Sequence, residues 1–544
     1  MSKPYAITLD TGTSLVNHTG SWRTERPEFI SRLAPCNNAC PAGENVQGWL
    51  YAAEEGDYEQ AWRILTKANP LPGVHGRVCY HPCEDACNRG QLDAAVSIHA
   101  VERFLGDQAI KQGWTIKCAP ETGKKILIIG SGPSGLSAAW HLARFGHHVE
   151  IRDAAPRPGG MMRYGIPKYR LPRQILDDEI ARIKNLGVTI KLNSPVDDVA
   201  ALRESDGFDA VFVAIGAHQA KHVDIPARDA GGVLDAVKLL HDMEEGAPPP
   251  LLGRRVVIYG GGNTAMDAAR TVRRLGADET IIVYRRTREQ APAHDFEMDE
   301  ALEEGISFQW LSTIKQIKGA DFTIEKMRLN EDGWPEPTGE FETLQADALI
   351  LALGQKSDTT FLEKLAGVKI TRDGMVEVNE QMMTGEAGVF AGGDMTPADR
   401  TVTTAVGHGL RAAACIDAWL RGEKWVAPAP AELASFDKLN SWYYCDADRS
   451  VQGELELARR TTSFSEVVKG LNASNALFEA RRCLSCGNCF ECDNCYGVCP
   501  DNAVIKLGPG KGFQFDYDYC KGCAICAAEC PAGSIIMVPE QDHA

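Results

Sequence analysis

Between Glu44 and Asn69 the apolar positions Val46, Trp49 and Leu50, then Trp62, Ile64 and Leu65, recur at helical spacing, and Asp57 stands where a helix N-cap would. Short helices are therefore predicted between two groups of cysteines. After Pro120 to Lys125 the pattern changes abruptly. Ile126 to Ile129 is an unbroken apolar run, as expected of a short strand buried on both faces, and a turn and a helix from Leu136 to Phe145 follow it. Val149 to Asp153 predicts the next strand. The same succession of strand, turn and helix recurs from Val256 to Tyr259, with Thr280 to Tyr284 as its second strand. Trp425 to Ala434 is rich in Pro and Ala and reads as a linker, ahead of a helical segment ending near Ala480. Residues 1–35 carry no pattern from which an element can be predicted.

A chain of 544 residues, at roughly 150 per domain, should form three or four domains. The net charge of −17 argues against nucleic acid as a partner, because phosphate binding needs a basic face. No apolar run of about 18 residues marks a membrane span. Met1 to Gly20 lacks the basic-then-apolar pattern of a signal peptide, so a cytoplasmic location is expected.

Cysteine changes the picture. Of 18, five lie before residue 90, ten lie between Cys483 and Cys530, and none falls between Cys118 and Cys415. A disulfide framework does not suit a large chain without a signal, so two metal-rich modules are expected around a core free of cysteine.

Within that core, Gly130-Ser131-Gly132-Pro133-Ser134-Gly135 follows a predicted strand and opens a helix. The first glycine permits a tight turn, the second lets backbone approach a pyrophosphate, and the third lets helix pack on strand. Asp153 ends the next strand, where an acid accepts hydrogen bonds from a ribose 2′-OH. A second loop, Gly260-Gly261-Gly262-Asn263-Thr264-Ala265, has the same context. Its next strand ends in Arg285-Arg286 rather than an acid, and two guanidiniums suit a 2′-phosphate. NADPH is therefore expected over NADH there. A solvated strand end is the plainer account of the two arginines.

Further segments carry a resemblance. Gly159 to Pro167 follows the first unit, Phe208 to Gly216 and Asp347 to Gly354 are near-repeats flanking the second, and Gly388 to Asp394 ends in Gly-Gly-Asp. With these the chain resembles the flavoproteins that have two dinucleotide-binding domains. That resemblance implies FAD at the first site, contacted by Gly160, Met161, Arg163, Gly393 and Asp394, the last on the ribityl chain. Cys79 to Cys87, the Gly-Ile-Pro stretch and Tyr284 to Glu289 resemble, more narrowly, the small (beta) subunit of NADPH-dependent glutamate synthase, over about residues 30 to 420. The family implies electron flow from NADPH to FAD and on through clusters. The cysteine-free core departs from disulfide reductases. The chain also has no room for a glutamine amidotransferase or an FMN barrel.

The tail reads Cys489-x2-Cys492-x2-Cys495-x3-Cys499-Pro500, then Cys520-x2-Cys523-x2-Cys526-x3-Cys530-Pro531. This is the spacing of two-cluster bacterial ferredoxins, in which the fourth cysteine of each run ligates the other cluster. One 4Fe-4S cluster should use Cys489, Cys492, Cys495 and Cys530, the other Cys520, Cys523, Cys526 and Cys499. Zinc is the alternative, since CxxC pairs also build zinc ribbons.

Cys36, Cys40, Cys79, Cys83 and Cys87 remain at the head. By resemblance, Cys40, Cys79 and Cys83 share a cluster with a non-cysteine ligand, and Glu102 stands at that position; a solvent-facing glutamate is the alternative. The string Glu479 to Gly487, with Cys483 and Cys486, looks like the family's upstream CxxC relocated to the tail. Counting then gives a fourth set of Cys36, Cys87, Cys483 and Cys486. Three clusters, with Cys483 and Cys486 as spare thiols or alternative ferredoxin ligands, is the competing count. Cys118, Cys415 and Cys445 have no partners and are expected to be buried.

The expected architecture is a helical iron–sulfur domain (1–120), then a Rossmann-like α/β FAD-binding domain in two pieces (121–217 and 355–424). A Rossmann-like α/β NAD(P)-binding domain (218–354), a linker and helical segment (425–482) and an α+β ferredoxin domain (483–544) complete it. No acid–base catalytic residue is expected, since redox cofactors carry the chemistry. The function expected is an oxidoreductase subunit passing electrons between NAD(P)H, FAD, 4Fe-4S clusters and a partner. That partner would be a 2-oxoacid:ferredoxin oxidoreductase, a glutamate-synthase-like large subunit or a ferredoxin, within a homo- or hetero-oligomer. A flavin-bifurcating transhydrogenase component and a non-catalytic electron wire are the rival readings.

Overall fold

The computed structural model describes residues 18–221, 227–228, 232–247, 251–429 and 431–540. Two parallel five-stranded sheets form its centre. The first runs Val389–Ala391, Ala210–Val213, Lys125–Ile129, His148–Arg152 and Thr189–Lys191. The second runs Ser307–Gln309, Glu279–Val283, Arg255–Tyr259, Ala348–Leu351 and Val233–Asp235. The central strands are buried on both faces, which is why they read as unbroken apolar runs. In sequence the second sheet lies between Ala210–Val213 and Val389–Ala391, so the first sheet closes only after the second is complete.

Buried charge joins the two units. Arg170 follows the Gly159–Pro167 stretch and pairs with both oxygens of Asp267 at 2.9 Å and with Glu297 at 2.5 Å. The ring of Tyr169, fully buried, lies 3.8 Å from the Arg274 guanidinium carbon and 4.9 Å from that of Arg270. Both arginines are tied to Glu304, at 2.6 and 2.8 Å. A second clasp gathers Arg173 (2.9 Å), Arg157 and Lys168 (both 3.4 Å) and Arg163 (3.8 Å) around buried Glu244.

The head of the chain is helical, as its periodicity predicts. Asp57 caps Tyr58–Leu65 by accepting from the Gln60 amide at 3.0 Å, and Trp49 and Trp62 are fully buried. The helix Ile98–Gln112 presses on Pro72–Val78 at Gly106, where any side chain would collide with the Gly73 backbone.

The two ends of the chain meet. Glu25–Phe29 pairs antiparallel with Ile535–Pro539, in a region where the sequence offers no pattern. Phe29 stacks on Phe515 at 4.6 Å, and Arg23 pairs with Glu540 at 2.7 Å. Residues 425–429 and 431–472 form a strap that touches every module. Asn88 donates to the Ala434 carbonyl at 2.7 Å, Asn440 to Cys530 at 2.7 Å, the Val467 amide to Tyr169 at 2.9 Å, and Arg460 reaches Glu303 at 3.1 Å. The helix Ala473–Arg481 then packs on the head helices.

The expectation of three buried unpartnered cysteines needs correction. Cys415 is buried, but Cys118 and Cys445 are exposed, because they fall in the extended connection before the first sheet and in the strap. Among the described residues no helix is long and apolar enough to cross a membrane.

Glu304→Ala leaves two buried guanidiniums without their shared acid and should destabilise the holoprotein by about 3–5 kcal/mol in denaturant unfolding. An unchanged midpoint would refute that role. Burial alone would raise the Glu304 carboxyl, but bonds from Arg274 and Arg270 hold it below the ordinary carboxylate range. Its contribution is therefore present above about pH 4.3 and lost as pH falls through the lower folded value.

Candidate functional site

The first glycine loop is built for close backbone approach. Gly130 has φ +105°, and a side chain there would strike the Ala214 carbonyl; one at Gly135 would strike the Gly130 carbonyl. Gly132 caps the helix Pro133–Arg144, with Pro133 in its first turn. Gly160, at φ +52°, lies against the Gly132 backbone, and Gly393 lies across Ser134. Three segments thus converge on one helix N-terminus. Ser134 Oγ is buried there without a hydrogen-bond partner. Asp153 accepts from the Ser131 amide at 2.6 Å and its hydroxyl at 2.5 Å, fixing the loop. Burial pushes the Asp394 carboxyl up to about 6 against the opposing charge of Arg400. A glycine cradle with an orphaned hydroxyl fits a dinucleotide pyrophosphate.

Arg163 has a second set of ties besides the cofactor contact expected of it. Its guanidinium is spent on the Pro158 carbonyl, on Asp177 and beside Glu244, so it serves the clasp between units. Met161 starts the short helix Met161–Tyr164, which Gly160 caps.

The second loop repeats the geometry. Gly260 sits at φ +149° against Ala352, Gly261 faces the Tyr284 ring, and Gly262 caps the helix Asn263–Arg274. Ala265 is fully buried beneath it, and Thr264 is half-buried. The Asn263 side chain is already committed: its amide donates to the Tyr80 hydroxyl at 2.7 Å, and its oxygen accepts from the His294 amide at 3.2 Å. Tyr80 stacks on the His294 ring at 3.7 Å. Sequence reasoning missed Tyr80, although it sits between Cys79 and Cys83. It ties the cysteine-bearing head to the second loop. Arg285 is exposed and Arg286 half-buried just beyond the strand Glu279–Val283.

Cys40, Cys79, Cys83 and Glu102 form one neighbourhood, with Cys83 and Glu102 buried and Cys40 and Cys79 half-buried. Burial, then the charge of Glu102, pushes the Cys79 thiol up to about 12, and Cys83 is raised by burial, then by Cys79 and other neighbours that include Cys40 and Glu102. Glu102 is only 5% exposed and accepts from Asn69 at 2.7 Å, so the solvent-facing alternative does not hold. Thr403, on the helix that follows Asp394, donates to Cys79 Sγ at 3.1 Å. The sulfur set therefore abuts the first nucleotide site.

Three further cavities are lined by cysteine. Cys36, Cys87, Cys483 and Cys486 line one, although the two pairs lie at opposite ends of the sequence. Cys489, Cys492, Cys495 and Cys530 line a second. Cys499, Cys520, Cys523 and Cys526 line a third. The two tail cavities gather the cysteines that the ferredoxin spacing groups, and the first gathers the four that remain when ligands are counted. Burial is the largest cause raising the thiols of Cys36, Cys483 and Cys495, which keeps them neutral unless a cation compensates. Four soft donors around a small cavity fit an iron–sulfur cube. Phe29 and Pro27 of the head strand line the two tail cavities, a contribution nothing local in the sequence signals.

The profile of the pyridine nucleotide-disulphide oxidoreductases matches residues 124–409, more than half of the chain. The chain belongs to that family. The profile described as dihydropyrimidine dehydrogenase domain II, 4Fe-4S cluster, matches residues 31–114. Among relatives of this family member, the beta subunit of NADP(+)-dependent formate dehydrogenase from Moorella thermoacetica is 37% identical over 500 residues, covering 83% of this chain and 70% of that one. The NADPH-Fe(3+) oxidoreductase beta subunit of Geobacter sulfurreducens is 32% identical over 517 residues, covering 84% and 76%. The NADPH glutamate synthase small chain of Escherichia coli is 32% identical over 418 residues, covering 71% and 88%. The resemblance to glutamate synthase small subunits thus holds, and the chain is an oxidoreductase. It keeps the family's nucleotide loops without a cysteine pair between Cys118 and Cys415.

If the cavity of Cys36, Cys87, Cys483 and Cys486 holds a cluster, a Cys483→Ser, Cys486→Ser double variant should fall from about sixteen irons per chain to about twelve. Both ferredoxin-type signals should persist. Full iron in the variant would show that no cluster spans the two ends.

Proposed function

We propose that this chain is an NADPH-dependent iron–sulfur flavoprotein subunit that exchanges electrons with a partner redox protein through FAD and four 4Fe-4S clusters. One observation carries the reading: four sulfur-lined sites lead away from the first nucleotide loop. Cys79 touches the helix after Asp394. The cavity of Cys36 and Cys483 comes next in the head. A depression shares Cys483 with that cavity and Phe490 with the first tail cavity. The last cavity follows, because Cys495 lies in a short helix, Asn494–Val498, that Cys499 ends. When bound, FAD supplies the conversion between two-electron and one-electron transfer, and the clusters supply one-electron carriage.

The residues supply position and insulation. Asp153 and the glycines hold the first loop, and Tyr80 and Asn263 fix the second loop against the head. Arg285 and Arg286 present cation without a competing acid, which suits a 2′-phosphate. The relatives that carry NADPH in their names support that choice, and those named as beta subunits support a partner chain.

Anaerobic NADPH should bleach the flavin of the full-length holoprotein and then raise reduced-cluster signals by electron paramagnetic resonance. Reduced flavin beside permanently oxidised clusters would sink the proposed route. Replacing Arg285 and Arg286 together by alanine should weaken NADPH relative to NADH by about 1–3 kcal/mol, read from the ratio of kcat/KM values. An unaltered ratio would remove the arginines from cofactor choice.

A further inference from the structure

Trp334 is 60% exposed at the tip of the hairpin Asp321–Leu329 and Pro335–Gln345. The tip is not loosely held. Asn330 Oδ1 accepts from the Asp332 and Trp334 amides at 3.1 and 2.8 Å, and Gly333 takes φ +75°. The Gln290 side chain donates to the Gly333 carbonyl at 3.1 Å, pinning the tip to the loop that follows Glu279–Val283. There the indole meets Arg286, whose guanidinium carbon lies 4.9 Å from the ring centroid. Arg286 Nε is buried and has no hydrogen-bond partner among the described residues. Arg288, two residues on, is instead spent on Asp299 at 2.6 Å.

We propose that Trp334 is a specificity-determining positioning residue, which holds the Arg286 guanidinium for the 2′-phosphate of the adenosine in NADPH. A half-exposed arginine samples many rotamers, and ordering it on binding costs entropy. Stacking on a pinned indole orders it beforehand, so a phosphate meets a preformed fork. The residue does not touch the reacting atoms. Its effect is confined to the phosphate that separates NADPH from NADH. This rests on the NADPH reading above.

The test uses calorimetry on the full-length holoprotein, with 2′,5′-ADP and 5′-AMP as probes that differ by the 2′-phosphate alone. Trp334→Ala should weaken 2′,5′-ADP by about three- to tenfold and leave 5′-AMP unchanged, the range expected of a cation–π contact. Trp334→Phe keeps an aromatic face and should retain most of the affinity. In an Arg286→Ala background, Trp334→Ala should add nothing, since the two act as one unit. Unchanged 2′,5′-ADP binding in Trp334→Ala overturns the assignment, as does an equal loss on both probes. If the wild type binds both probes equally, the NADPH reading itself fails. If the wild type discriminates and Trp334→Ala discriminates to the same degree, only Trp334 is excluded.

Discussion

The pairing of Glu25–Phe29 with Ile535–Pro539 brings the ends of the chain together, and the arrangement of the sulfur sites depends on it. Closing a loop of about 500 residues costs roughly 5–6 kcal/mol in the logarithmic chain term alone. Five paired positions, the Phe29 stack on Phe515 and the Arg23 pair with Glu540 work against that cost. The strap and the helix Ala473–Arg481 divide the closure into shorter steps, since each fastens to the head before the tail is reached. With the ends fixed, Pro27 and Phe29 become walls of cavities whose cysteines lie more than 450 residues away.

Charge does for the two sheets what strand pairing does for the ends. A hydrophobic interface would leave their relative angle adjustable. The Arg170 contacts with Asp267 and Glu297, and the ring of cations about Glu244, permit few geometries, because a misplaced buried charge is expensive. Tyr169 and Arg170 directly follow the stretch that folds over the first loop, and Asp267 lies on the helix opened by the second. The clasp therefore links the loops themselves, and Tyr80 adds the head module to the same connection.

What the sequence disclosed follows the range of the forces involved. Both glycine loops and the tail cysteines were legible because a tight turn, a close backbone approach and a metal cube each demand particular residues at fixed short spacing. The head helices were legible from Trp49, Leu50 and Trp62 at helical period. The strand Glu25–Phe29 was not, because its partner and its reason for being a strand lie at the other end. Cys118 and Cys445 were misjudged on residue type, which says where cysteines usually lie and nothing of the local path. Arg163 stands in a stretch that the resemblance ties to FAD, and its link to Glu244 was hidden because Glu244 belongs to a helix no motif marks. Asn263 belongs by its motif to the second loop, yet its link to Tyr80 crosses 183 positions.

On the four-cluster reading, these distances also set an order of assembly. Thiols buried in the head are pushed toward neutrality, and a thiolate ligand needs iron to offset its desolvation. The site of Cys40, Cys79, Cys83 and Glu102 is complete within the first 102 residues and can accept its cluster early. Each tail site needs both cysteine runs, which are close in sequence, and gains its outer wall when the head strand docks. The site of Cys36, Cys87, Cys483 and Cys486 requires head, strap and tail at once, so it is the last that can close. Metal binding at such a site is folding free energy for whatever holds its ligands together. Filling it would lock the tail beside the flavin core, so losing this one cluster would remove a step of the electron route and a tie between head and tail together, while the strand pairing of the ends remained.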